Sequence, residues 1–211
     1  MYEDGTSEHV VVKDYICATD CQAGKNPFMV DCEAQTICEF LAKLFNEELW
    51  KKLPPSPDAA ERPLKLKFLT PKVMRVGQKW MSFEKFRTGP MTKLTSNYGH
   101  VETDASFRQE VELAQAFSHF TYHITRGYLL VCDIQGFQQE HKGQRYLMLT
   151  DPAIHCPLLA SHKGVPRFGC TNLQEKGIEA FYRTYKENRY AEILNLHSSA
   201  QALTERFSSS P

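Results

Sequence analysis

Residues 128–151 read YLLVCDIQGFQQEHKGQRYLMLTD, in which two apolar runs, Tyr128 to Ile134 and Tyr146 to Thr150, each meet an aspartate. Runs this short and this apolar suit strands buried on both faces. A buried strand that delivers an acid fixes a negative charge at the rim of a sheet, which is how rigid scaffolds build metal and phosphate sites. The two acids are Asp133 and Asp151. Gln135 adds a carbonyl oxygen two residues past Asp133, on the same side of the chain if the strand stays extended. Three hard oxygen donors suit Mg²⁺. The same residues also admit a plainer role, with Asp133-Ile134-Gln135-Gly136 as a turn and Asp151 as the cap of the segment opened by Pro152.

Moving outward, Ser106 and Gln109 form a capping-box spacing ahead of Val111, Ala114, Gln115, Phe117 and Ser118, which carry a helix toward His119. On the other side, Asn172 and Glu175 can cap a last helix whose Ile178, Phe181, Tyr182 and Tyr185 share a face. Earlier in the chain, His9 to Ile16 (HVVVKDYI) has the β-branched and aromatic makeup of a strand from which Lys13 projects. Between Asp31 and Leu49, Ala34, Ile37, Cys38, Leu41, Leu44 and Phe45 recur at three- and four-residue steps, predicting an amphipathic helix capped by Asp31. The proline-rich Leu53 to Pro63 reads as a surface connection. Leu64–Leu69, Val73–Val76 and Trp80–Phe86 read as short strands, and Arg87–Thr103 as a loop.

With 42% apolar and 24% charged residues, the 211-residue chain has the composition of a folded globular unit. Lys plus Arg and Asp plus Glu both number 25, so no uniformly basic field gathers nucleic acid. Seven cysteines, scattered and odd in number, predict free thiols in a reducing, cytoplasmic setting rather than a disulfide framework. His119 and His123 lie four apart, and Cys17 and Cys21 likewise; core roles for the histidines and free thiols for the cysteines are the expectation. No apolar run approaches the roughly 18 residues of a membrane span.

The stretches AFSHFTYHITRGYLLVCDIQGF (116–137), LTDPAIH (149–155) and FGCTNLQEKGIEAF (168–181) resemble the atypical alpha-kinase family. VVVKDYI and DCEAQTICEFLAKLFNEE, with Gln35 and Phe45-Asn46, are similar to that family's ATP-lysine strand and the helix after it. The resemblance implies an α+β, two-lobed, protein-kinase-like fold: a partial β-rich first lobe over about 1–83, a hinge near 84–90, a mixed α/β second lobe over about 91–196, and a polar tail at 197–211. It further implies transfer of the ATP γ-phosphoryl group to a Ser/Thr hydroxyl of a protein substrate, with Mg²⁺. Lys13 would contact the nucleotide phosphates, Glu84 the adenine amino group, Asp133 the attacking hydroxyl, and Gln135 with Asp151 the metal. Asn97, in SNYG, resembles a loop that closes the site in relatives, but its turn chemistry alone accounts for it.

Three departures accompany the resemblance. Relatives carry a structural zinc; here His155 is taken as the one retained ligand, with Tyr185, Glu187 and Ala191 at the other three positions, so zinc is not expected and aromatic packing is expected in its place. The family's glycine-rich segment keeps Gly169 but has Thr171 and Gln174 at later glycine positions. Finally, about a dozen residues precede Lys13, so a shortened first lobe with an exposed apolar edge and poor solubility are expected. These departures support a rival expectation, a catalytically impaired homologue serving as a nucleotide-binding or interaction module.

Overall fold

The computed structural model describes residues 7–14, 26–54, 62–157 and 167–196. Its fold is α+β. In chain order the elements are β1 (Val10–Lys13), α1 (Pro27–Lys52), β2 (Lys65–Phe68), β3 (Lys72–Val76), β4 (Lys79–Lys85), β5 (Thr92–Lys93), α2 (Arg108–Ile124), β6 (Leu130–Cys132), β7 (Gln135–His141), β8 (Gln144–Leu149), β9 (Ala153–His155), α3 (Gln174–Thr184) and α4 (Arg189–Leu194). Among the described residues three sheets result, ordered β1-β4-β3, β2-β8-β7-β5 and β6-β9.

Helix α1 begins five residues earlier than the expected Asp31 cap predicts. Asn26 caps it by accepting from the Phe28 N–H at 3.0 Å, and Pro27 fills the first turn, where a missing N–H costs nothing. The buried face carries Ala34, Cys38, Leu41, Ala42, Phe45 and Leu49. Phe45, fully buried, meets the α2 rings of Phe117 and Phe120 edge-on at 5.5 and 5.4 Å. Helix α2 also starts differently from its capping-box spacing: Asp104 caps a preceding single turn, Ala105–Phe107, by accepting from the Ser106 N–H.

Strand β2 lies outside the sheet its position in the chain suggests. It runs parallel to β8, with Lys67 opposite Met148, and so joins the sheet of the second half rather than β1, β3 and β4. The expected division at residue 83 therefore does not follow the sheets: α1 and β2 share one core with α2 and α4. Helix α1 also seals the free edge of β2. Asn46 donates to the Leu66 carbonyl at 2.8 Å and accepts from its N–H at 3.0 Å, as a neighbouring strand would, and Glu39 accepts from the Phe68 N–H at 2.7 Å. By contrast β1 lies at a sheet edge with Val10, Val11 and Val12 all exposed.

Strand β7 falls in a stretch, QGFQQEH, whose polar residues hide it from an apolar pattern. Gly136 within it admits no side chain, since a Cβ there would lie 1.9 Å from the Met148 carbonyl oxygen. The C-terminal helical stretch breaks at Tyr185 into α3 and α4, the latter capped by Asn188, which accepts from the Tyr190 and Ala191 N–H groups. Cys17, Cys21, most of the Leu53–Pro63 connection and the 197–211 tail lie outside the described residues; the described cysteines 32, 38, 132, 156 and 170 are free thiols. No described helix is long and apolar enough to cross a membrane.

Because Phe45 fills the space between α1 and α2, Phe45→Ala is expected to cost about 3–5 kcal/mol, read as a lowered urea midpoint at unchanged slope.

Candidate active site at the crossing of two strands

The two strand-end acids come together through a shared change of sheet. The chain leaves β6 through Asp133 and enters β7; it leaves β8 through Asp151 and enters β9. Since Cys132 is opposite Ala153 on one side of the crossing and Gly136 opposite Leu149 on the other, residues 133–135 face residues 150–152. Both aspartates turn the corner in the left-handed conformation, Asp133 at φ 57° and Asp151 at φ 50°. Such a backbone costs an L-residue about 1–2 kcal/mol, and Asp is among the side chains that tolerate it best. Asp133 thus ends the extended run, so Gln135 does not follow from it by simple strand alternation. The crossing nonetheless brings Gln135 to Asp151: its Nε2 donates to the Asp151 carbonyl at 3.3 Å, and the Gln135 carbonyl accepts from the Thr150 N–H at 3.2 Å.

Lys13 reaches this crossing from the other sheet. Its ammonium donates to Asp151 Oδ1 at 2.5 Å and to Thr150 Oγ1 at 3.1 Å, and pairs with Glu84 Oε2 at 3.0 Å. Burial opposes the lysine's charge, but Asp151 and Glu84 together more than offset it and leave the pKa raised, so the group is a fixed cation. Glu84 sits inside β4, opposite Val11 of β1, and is only 4% exposed. Its Oε1 accepts from Gln35 Nε2 at 2.8 Å and its Oε2 from the Thr150 hydroxyl at 2.6 Å. Gln35 in turn donates to the Leu69 carbonyl at 2.6 Å. In this structure both carboxylate oxygens have internal partners, and Glu84 lies within β4.

Asp133 has its own cation. Lys93 on β5 pairs with Asp133 Oδ1 at 2.6 Å, and the antiparallel register sets Lys93 opposite Gln135. Asp133 is mostly covered and Asp151 half exposed, with side chains 14% and 51% accessible. The arrangement is a rim of two acids and an amide, flanked by one ammonium from each of two sheets. This is chemistry for holding a polyanion and a hard cation while steering a hydroxyl. Lys93, Thr150 and a role for Gln35 were not foreseen: a two-residue strand leaves no periodicity, and a buried glutamine in an apolar stripe is the only visible signal of its kind.

A model of the Alpha-kinase family matches residues 1–191. The chain belongs to the alpha-kinase family. It is 32% identical over 195 residues to myosin heavy chain kinase A of Dictyostelium discoideum, covering 88% of this chain and 14% of that protein. To alpha-protein kinase vwkA of the same organism it is 32% identical over 199 residues, covering 91% of this chain and 28% of the relative. Among solved structures, the apoenzyme alpha-kinase domain of myosin-II heavy chain kinase A superposes with a TM-score of 0.62 at 29% identity, over 88% of this chain and 62% of that one. A complex of the myosin heavy chain kinase A domain with ADP gives 0.60 at 30% identity, over 82% and 60%. The chain thus spans less than two thirds of the relatives it matches.

The zinc positions expected from the alpha-kinase resemblance separate in space. His155 packs on α3 at Gly177, where a Cβ would lie 2.3 Å from its Nε2. Tyr185 closes the other end of that helix, about 12 Å away at 1.5 Å per residue. His155 therefore stands apart from Tyr185; the histidine facing Tyr185 is His119, at 4.8 Å between ring centroids. His119, Tyr122, Phe181, Tyr182 and Tyr185 form a chain of ring contacts there, with Tyr122 and Tyr182 at 5.6 Å and Phe181 and Tyr182 at 5.0 Å. Burial pushes the Tyr185 hydroxyl up to about 12 and raises that of Tyr182 as well. His155 instead joins three segments. Its Nδ1 accepts from the Leu173 N–H at 3.1 Å, which leaves the proton on Nε2 to donate to the Asn97 carbonyl at 3.0 Å.

Burial outweighs that backbone bond and pushes the His155 pKa down to about 4. The neutral ring's stability is fully present above the unfolded value near 6.5 and is lost as pH falls toward 4, where the folded state also takes the proton. Urea denaturation at pH 7 and pH 5 is expected to differ by about 2 kcal/mol more in the parent chain than in His155→Gln.

Proposed function

We propose that the chain is an alpha-kinase-type protein Ser/Thr kinase that passes the γ-phosphoryl group of ATP to a protein hydroxyl with Mg²⁺, in a cytoplasmic setting. The reading rests on one observation above the rest: two acids and an amide meet at a strand crossing where ammonium groups from two different sheets converge. Lys13 grips the nucleotide phosphates as a compact cation, and Glu84, held by Gln35 and Thr150, fixes where that cation stands. Asp133 accepts the bond of the incoming hydroxyl and orients its oxygen for in-line attack, while Lys93 balances charge beside it.

Gln135 and Asp151 are the residues that would hold Mg²⁺. They fit it, since one half-exposed carboxylate and one amide oxygen match a cation that binds through few protein oxygens and completes its shell with phosphates and water. When bound, the ion supplies charge neutralisation on the phosphates. The same proposal leaves the former zinc corner to ring packing around His119 and Tyr185.

The rival reading, an impaired homologue, draws on Lys13 and Asp151 being paired with each other directly at 2.5 Å. Phosphate incorporation decides between them. With labelled ATP and Mg²⁺, the parent protein is expected to label itself or a basic test protein, and Asp151→Ala to lower the rate by about 10²-fold or more. Equal incorporation by both proteins would end the assignment, and nucleotide binding without incorporation by the parent would favour the rival. Metal analysis of the purified protein is expected to find zinc well below one per chain; a stoichiometric content would refute the packing substitute.

A further inference from the structure

Away from the crossing, the opposite end of the β7–β8 hairpin carries a second concavity. A cavity of about 250 Å³ is lined by Lys67, Arg87, Gln139, His141, Tyr146 and Met148. These residues come together by register. Lys67 is opposite Met148, and Gln139 opposite Tyr146, so all four stand on one face of the β2-β8-β7-β5 sheet, with His141 two residues farther along that face. Arg87 arrives from the segment after β4, which crosses the sheet where Gly89 approaches Phe137. Glu140 and Arg145, opposite each other in the same hairpin, alternate onto the other face.

The lining holds two permanent cations and an imidazole, and no acid. Among the described residues Lys67, Arg87 and His141 form no ion pair, and the Arg87 Nε is buried without a hydrogen-bond partner. Elsewhere in the molecule, Arg108, Arg167, Arg183 and Arg189 each have a glutamate. Desolvating a guanidinium N–H without an acceptor is costly, and an anion at this spot would repay it. The donors also surround the space: a planar fork from Arg87, an ammonium from Lys67, an imidazole from His141, an amide from Gln139 and a phenol from Tyr146. Donors from that many directions match the several oxygens of a tetrahedral dianion better than the two of a carboxylate. The volume is several times the roughly 30 Å³ share of one water, which leaves room for the group that bears the anion.

We propose that this cavity binds a phosphate dianion, supplied either as free inorganic phosphate or as a phosphorylated side chain of a peptide. With a formal charge of zero on the whole chain, a nucleic-acid backbone is not the source the field favours. The site is independent of phosphoryl transfer and of the nucleotide cleft, so its success or failure leaves the kinase proposal untouched.

The test uses the whole chain carrying Lys13→Met, which removes the phosphate-binding lysine of the cleft. Fluorescence anisotropy with a labelled phosphoserine peptide, its unphosphorylated form and a glutamate form, with inorganic phosphate as competitor, separates the sources. Phosphoserine binding at least tenfold tighter than both controls assigns a phosphorylated side chain; binding of inorganic phosphate alone, seen by calorimetry, assigns the free anion. In either case Lys67→Gln with Arg87→Gln, shown to be folded by an unchanged thermal midpoint, is expected to weaken binding at least tenfold. The proposal is overturned if neither probe binds, if the double variant binds as well as its parent, or if the glutamate peptide matches the phosphopeptide.

Discussion

Everything at the candidate site depends on two antiparallel strands changing sheet at the same level. Each strand needs a corner there, and each corner is turned by an aspartate in a conformation most side chains resist. Because the ladder is in register on both sides of the corner, the acids cannot drift apart without breaking β6-β9 or β7-β8 pairing. The strain of the two backbones is borne by buried strands, with Leu130, Val131, Leu147, Leu149 and Ile154 all in the core. The pair of negative groups is therefore a property of the sheet junction, set before any ligand arrives.

Around that junction, polar side chains are themselves held by others. Gln35 comes from α1, Glu84 from β4 and Thr150 from the crossing, and each gives or takes a bond so that the Lys13 ammonium has one place to be. A buried carboxylate such as Glu84 is tolerable only with this degree of satisfaction. The result ties the three-stranded sheet to the four-stranded one through charge as well as through packing.

Much of this was legible in the sequence because burial and chemistry coincide there. Apolar runs that stop at Asp133 and Asp151 mark strand ends, and Lys13 stands out in a valine strand. What stayed hidden was set by partners remote in the chain. Strand β2 looks like any short strand, and only the parallel edge of β8 decides its sheet. Lys93 lies in a two-residue strand, and its role exists only beside Asp133. The histidine expected beside Tyr185 is His155, but His119 holds that place; the length of α3 separates His155 from Tyr185, and a motif read along one dimension does not contain that distance. The expected start of α1 is at Asp31, whereas Asn26 caps it and Pro27 fills its first turn, both ahead of the periodic apolar residues.

The direct bond between Lys13 and Asp151 has a thermodynamic consequence. One ammonium serves two kinds of negative partner, so a phosphate that recruits Lys13 sets the Asp151 carboxylate loose, and a cation that recruits Asp151 sets Lys13 loose. Each occupant lowers the cost of admitting the other, by the same free energy in both directions. Under the kinase reading proposed above, the site favours joint occupancy: a polyanion and its counter-cation enter more readily as a pair than either does alone.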